Sequence, residues 1–515
     1  MKKPLIAVAV LGLAYIAAAW GTGILVQRQL DRELGKLPAL LPAVKITEDQ
    51  HTRGLFGSTR LTRFDLASAF DHSSCPVLAD ESAPAMAPPT AAPLTVSLKQ
   101  TITHGPLPGF GWPGAASIRY DWLVNGQPPG TLGNAYFSMQ LQGAMPALVA
   151  HHGFTGNSRL RLEGDAGQLT ISDPQRKGSV TFAWPALRFS ARSRADLSAS
   201  AYTAALPALT VTLQGEEGEP LTLLLKDLAL SASHEYPNPG FVFFYTGSDV
   251  LKLGSLSVQQ GGRTLFEASA VQAQASSREQ GGLIESSTRI GLASAVLGGD
   301  TVGPVQADFT LANVDAAAYG ELLRSLFDSD LGRCPTLEQS TNRMVTLQQL
   351  LPTLLARAPT FRIDRISLGY QGAAATLRGE LTLPVASAGP LTDPMALLAM
   401  ASGHLALALP DKLLEKLAVK ALGSSMAMEM TLGEGTPAPT PAQQSEAEAL
   451  ARSVLAQQVE QALTRRWIVR DKDGIAARLD YRSGEVLLNG APPDLGSIGM
   501  GAAALPALPR LPPPP

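Results

Sequence analysis

The sequence is short of the residues from which catalytic and metal centres are usually built. Its 515 residues include two cysteines and seven histidines. Two cysteines cannot make a disulfide scaffold, and these two lack zinc-type spacing. Among the histidines only His151 and His152 are adjacent, which is not a metal-ligand spacing. Charge is scarce too, at 17% of residues, against ~25% in an average domain. The 41 basic and 44 acidic side chains leave a formal net charge of −3. With no cationic surplus to neutralise phosphates, the charge balance argues against a nucleic-acid partner. The small net charge and the 45% apolar content also exclude charge-driven disorder. Aromatic residues are only 6%, so the apolar content is mainly aliphatic.

What is present begins with a long apolar run. After Lys2 and Lys3, residues 5–26 carry no charge. As a helix they would rise about 33 Å, enough to cross a hydrocarbon core. Residues 1–27 are expected to be an uncleaved transmembrane anchor that meets the inner membrane through residues 5–26. The lysine pair favours a cytoplasmic start, with the body exported. The alternative is a signal peptide cleaved near Ala17-Ala18-Ala19, but the run exceeds the usual apolar region of such peptides. Cys75 and Cys334 each precede a proline, which favours extended or turn geometry. In an oxidising compartment one Cys75–Cys334 disulfide is the simplest pairing, with two separate thiols as the alternative.

From about Leu94 the dominant period is two. Leu94, Val96 and Leu98 alternate with polar residues, as do Phe137, Met139 and Leu141. The pattern returns at Val180-Phe182-Trp184, Leu209-Val211-Leu213, Leu221-Leu223-Leu225, Val305 to Leu311, Phe361 to Tyr370 and Ala477-Leu479-Tyr481. Leu160 and Leu162 lead through Glu163–Gly167 to Leu169 and Ile171, which reads as a hairpin. Arg482-Ser483-Gly484-Glu485 reads as another turn. Such strands imply antiparallel sheet with one apolar face.

Helical stripes are fewer. Asp315 is placed to cap a helix through Phe327. Residues 345–357 are leucine-rich, with Pro352 expected to kink or divide them. A stripe from Asp411 is expected to stop at Gly423. The longest stripe, from Ser445 with Glu448 as a capping box, runs to about Arg466. The expected fold class is mainly β with α (α+β). It combines an N-terminal transmembrane helix, a large antiparallel β-sheet body and several packed amphipathic helices. Residues 28–330 form the β-rich region, with a Pro/Ala-rich linker at 83–93. Residues 331–432 mix helix and strand, and 433–443 are a Pro-rich linker. Residues 444–490 hold the long helix and a closing hairpin, and 491–515 a Pro-rich disordered tail.

Each chemistry-like motif has a plainer reading. His151 to Ser158 resembles the oxyanion segment of an α/β-hydrolase, but no G-x-S-x-G elbow exists; Gly423-Ser424-Ser425 follows a helix. A polar loop between strands accounts for it better. Gly109 to Gly114 matches G-x-G-x-x-G but is proline-rich and has no βαβ context. His234-Glu235 starts like a zincin helix, which Pro237 would break. Asp471 to Gly474 starts like a calcium loop but reads as a D-G turn. No catalytic residue, cofactor or metal ligand is assigned.

The N-terminal anchor, His51-Thr52-Arg53-Gly54-Leu55-Phe56-Gly57-Ser58, Ile102-Thr103-His104-Gly105-Pro106 and the closing segment Asp480 to Gly490 together resemble the YdgA-like family of bacterial membrane-anchored proteins of unknown function. That resemblance implies an inner-membrane-tethered periplasmic protein and supplies no catalytic residues. The architecture is also similar to AsmA-like envelope proteins, which carry an anchor and a long β-rich body. The expected function is a non-enzymatic envelope protein, single-pass in the bacterial inner membrane with a periplasmic body, handling lipid on an apolar sheet face. The alternatives are a scaffold or partner-binding module with a closed core and, more distantly, an envelope hydrolase. Protein partners are not indicated.

Overall fold

The computed structural model describes residues 2–40, 45–65, 95–108, 113–124, 131–133, 138–143, 146–173, 178–215, 218–237, 244–297, 300–327, 337–385, 400–432, 440–482 and 484–493. Cys75, Cys334 and the 83–93 linker lie outside them, as does the 494–515 segment of the tail. The chain divides into two compact units, Met1–Val305 with Leu311–Arg357 and Gln306–Thr310 with Ala358–Pro515.

The first unit opens with helix α1, Lys2–Leu40. Its strands are β1 Lys45–Arg53, β2 Gly57–Asp65, β3 Thr95–His104, β4 Ala116–Val124, β5 Thr131–Gly133, β6 Ser138–Gly143, β7 Ala147–His152, β8 Ser158–Gly164 and β9 Gly167–Asp173. There follow β10 Gly178–Trp184, β11 Leu187–Ser193, β12 Ala199–Gln214, β13 Leu221–Glu235, β14 Thr246–Gln260, β15 Arg263–Gln280, β16 Leu283–Leu292, β17 Ser294–Leu297 and β18 Asp300–Val302. Strand β19, Val305–Asp315, contains residues of both units, and helices α2 Ala316–Phe327 and α3 Leu337–Leu355 complete the first. The described strand pairs are antiparallel: β12 to β15 form a meander of long strands, β12 having 16 residues and β15 18. At ~3.3 Å per residue such strands span roughly 50 Å.

Two cores stabilise this unit. In one, Val26 and Leu30 of α1 meet Ile102, Ala116, Ile118 and Ala150, with Leu160 packed alongside. In the other, Phe244, Ile284, Val314, Ala316, Ala318 and Leu354 close α2 and α3 onto β16 and β19. The Asp315 cap is present: its carboxylate accepts from the Ala318 amide at 2.9 Å. Pro352 does not divide α3, which runs through it and ends at Leu355.

The second unit holds β20 Thr360–Tyr370, β21 Ala373–Thr382, β22 Ser402–Pro410, β23 Val469–Asp471, β24 Gly474–Arg482 and β25 Glu485–Leu488, with α4 Asp411–Leu432 and α5 Pro441–Thr464. The D-G turn joins β23 to β24, and the 482–485 turn joins β24 to β25. Helix α4 does not stop at Gly423. That glycine is a contact point, since a Cβ there would stand 3.0 Å from Glu448 Cγ of α5. Helix α5 starts before Ser445, inside the expected linker. Thr440 caps it, Pro441 takes the first turn, and Gln443 completes the capping box. Glu448 therefore sits inside the helix.

Among the described residues no helix is long and apolar enough to cross a membrane. The side chains of residues 1–14 lie outside the described set. The second half of the apolar run packs on the sheet. Ala19, Gly23, Val26 and Leu30 recur at helical spacing and are buried against the sheet, Ala19 completely. The run is therefore not uniformly free for lipid along residues 15–26.

Candidate functional site: an amphipathic sheet with an open apolar side

Glu163–Gly167 is not a hairpin. β8 pairs with β7 and β11, whereas β9 pairs with β6 and β10. The chain crosses Asp165 and Ala166 and continues into the next set of ladders. The same interruption recurs at Pro185-Ala186 between β10 and β11, and at Ala293 between β16 and β17. In the unbroken strands it becomes a line of kinks at Pro207, Asp227, Gly254 and Ala270. Pairing resumes in the same register on both sides: Leu206 with Leu228 and Ala208 with Lys226, Lys226 with Ser255 and Ala229 with Lys252, Ser255 with Ser269 and Leu253 with Val271.

This crease has local causes. Asp227 and Ala270 hold left-handed backbone, with φ of 54° and 47°. Aspartate tolerates that region, whereas alanine is strained there by about 1–2 kcal/mol. Gly254 leaves room, because a Cβ would come within 2.9 Å of Asp227 Oδ2. Pro207 has no N–H to give the ladder. Each kink re-aims the side chains beyond it, as a bulge does. The apolar alternation shifts phase at the same line: Leu209 and Val211 give way to Leu206 and Ala204, and Leu223 and Leu225 to Leu228 and Leu230. Leu256 and Val258 likewise give way to Leu253 and Leu251, and Phe266 and Ala268 to Val271 and Ala273.

Apolar rows therefore run across the sheet on both sides of the crease. One is Leu141–Leu169–Phe182–Val211–Leu223–Val258–Phe266. The other is Leu148–Leu162–Phe189–Ala204–Leu230–Leu251–Ala273–Ile290. Alternate residues carry hydroxyls, with Thr170 bonded to Thr181 at 3.2 Å and Ser190 to Thr203 at 2.8 Å. Most side chains in the apolar rows are only half-buried. Ile171, Leu213 and Ile290 are 37%, 42% and 47% exposed. An apolar hollow of about 420 Å³ lies at Ile171, Val180 and Leu213. Each leucine left half-covered forgoes part of the about 1.5–3 kcal/mol that full burial would supply.

Helix α1 docks beside these rows, since Ala150 and Leu160 stand next to Leu148 and Leu162 on alternate strand positions. Two of the segments that carry the family resemblance make the dock. Arg53 donates to the Trp20 carbonyl at 2.6 Å and stacks on its ring, and Phe56 meets Tyr15. His104, fully enclosed, has Nδ1 3.0 Å from the Ala19 carbonyl, and burial pushes its pKa down. Arg60, 4% exposed, joins Asp31 of α1 to Asp49 of β1.

The far end of β12 to β14 is closed by a polar cluster. His234 lies in strand, not at a helix start; its Nε2 is 2.9 Å from Asp249 and its ring stacks on Tyr245 at 3.8 Å. Tyr202 and Tyr245 both donate to Asp249, and burial, then that carboxylate, pushes each phenol up to about 12. Ser200 bonds the Tyr236 hydroxyl at 2.9 Å, and that hydroxyl lies 3.3 Å from His234 Nδ1. His151 and His152 end β7 rather than lying in a loop, and His152 Nδ1 is 2.7 Å from Ser158 Oγ directly across the ladder. Ser425 lies on α4 of the second unit. Gly109 to Trp112 lie outside the described residues. Among the described residues no three His, Cys, Asp or Glu could hold a metal ion.

Fold and site define a mostly β protein built on a large antiparallel sheet, apolar on one side and hydroxylated on the other. The chain belongs to the family described as bacterial protein of unknown function (DUF945), whose model matches residues 1–495. No curated protein and no solved structure matches it.

Proposed function

We propose that this chain is a non-enzymatic protein of the bacterial envelope, anchored in the inner membrane by its N-terminal helix, whose periplasmic body carries acyl chains on the open apolar side of the sheet. One observation carries the reading: apolar rows that cross the sheet from β6 and β7 to β15 and β16 stay half-uncovered in a fold that buries side chains elsewhere. Exposed apolar surface of that extent is costly and marks a binding surface. The docking of α1 beside the same rows supports it further, because a chain leaving the bilayer along α1 would reach Leu148 and Leu162 first. The resemblance to YdgA-like proteins agrees with this placement.

The test uses the full-length protein in cells. A photo-reactive amino acid replaces Val180, Leu213 or Leu223 and, as controls, Thr181 or Thr212. After irradiation, phospholipid on the first set and not on the controls supports the reading. Protein adducts at Val180 and Leu213 would support the partner-binding alternative instead. The absence of any lipid adduct would sink the proposal.

A further inference from the structure

We infer that the ends of β7, β8, β11, β12 and β13 form a binding site for a phosphate-bearing anion. A cavity of about 550 Å³ lies there, lined among others by His151, Arg159, Arg161, Arg192, Arg194 and Glu235. That volume is typical of small-ligand pockets.

The ladder makes the basic character a consequence of register. His151 stands directly opposite Arg159, and Arg159 directly opposite Arg192. Like charges placed so are destabilising, and folding normally avoids them or adds carboxylates between. Here the arginines have no ion pair among the described residues. Arg159 Nε is buried without a hydrogen-bond partner. Burial first, then Arg161 and Arg192, push the Arg159 pKa down; burial, then Arg161 and Arg159, do the same to His151. Four guanidinium groups against Glu235 leave the cavity cationic in a protein that is anionic overall. An unpaired donor beside several guanidinium groups fits a multivalent oxyanion, which guanidinium forks bind in bidentate fashion. His151, Arg159, Arg161 and Arg192 occupy strand positions that alternate with those of the apolar rows, so the arginine cluster does not depend on the acyl-chain reading.

Phosphate could arrive free or as a lipid headgroup, and the experiment separates the two. Full-length protein in zwitterionic detergent is titrated calorimetrically with inorganic phosphate and with soluble short-chain phosphatidylglycerol. Binding of both supports a site for the phosphate group itself; phosphate alone selects a small anion, and the lipid alone selects the headgroup. Arg159→Gln and Arg192→Gln should each weaken binding about tenfold or more, and added salt should weaken it in the wild type. Both variants relieve like-charge repulsion, so they should melt no earlier than wild type, which separates lost binding from lost fold. Arg478→Gln, in the second unit beside Asp480, should leave phosphate binding unchanged. Binding of neither probe, or equal binding by the arginine variants, would overturn the inference.

Discussion

Arg60 offers the sharpest test of how α1 is held. Its guanidinium is enclosed, with Nε and Nη2 at 2.7 and 2.6 Å from the two oxygens of Asp49 and Nη1 at 2.9 Å from Asp31. Arg60→Met keeps the unbranched stem of the side chain and removes every one of these bonds. Breaking a buried ion pair costs about 3–5 kcal/mol when the partner is left dry. Here the orphaned carboxylates are 50% exposed at Asp31 and 31% at Asp49, so water recovers part of the loss. The expected cost is about 2–3 kcal/mol. Hydrogen exchange of the β1–β2 amides should accelerate roughly 30- to 150-fold where local opening is a fast pre-equilibrium ahead of exchange. The hydrogen bond from Arg60 holds the Asp49 carboxyl below its ordinary 3.8. A depressed carboxylate adds stability above its unfolded pKa and loses it as pH falls through the folded value, so the difference between variant and wild type should shrink in strong acid. Exchange within about threefold of wild type near neutral pH would refute the reasoning, since that is less than one ordinary hydrogen bond.

Two further outcomes follow from the same packing. Gly23→Val puts a branched side chain where a Cβ already lies 2.9 Å from the His104 ring; it should cost about 2 kcal/mol, read as faster proteolysis of α1, and His104→Ala should restore much of it. Asp249→Asn should lower the titration midpoints of Tyr202 and Tyr245 from about 12 yet leave them above the ordinary 10, because burial is the larger cause. Since both phenols are neutral in the fold, their contribution is complete below pH 10 and is lost as pH rises through the folded value; tyrosinate absorbance of wild type and variant measures it.

Much of this fold is legible residue by residue. Period-two alternation marks the long strands, Asp315 announces α2, and Asp473-Gly474 announces a turn, because each is a local signal with a local cause. The crease is not legible in the same way. Gly164 to Gly167 carries turn residues, and a window of alternation that loses phase there looks like a strand ending. Only the cross-strand register shows that the chain goes straight on. Gly423 misleads for a related reason: a glycine that lets α5 approach is spelled like a glycine that ends a helix. The apolar rows could be foreseen strand by strand, but not their openness, which depends on where α1, α2 and α3 come to rest. The arginine cluster carries no local signal, because Arg159 and Arg192 become neighbours only through the β8–β11 pairing.

The crease also limits which insertions and deletions this lineage can accept. Removing Asp227 alone would invert the parity of Leu221, Leu223 and Leu225 relative to Val211 and Val258, setting leucine against threonine along a whole ladder. Neighbouring strands would have to lose their own kinks in the same step. The length of each strand across the crease is thus inherited jointly, like teeth on one zip, and length change should be confined to the turns at its ends.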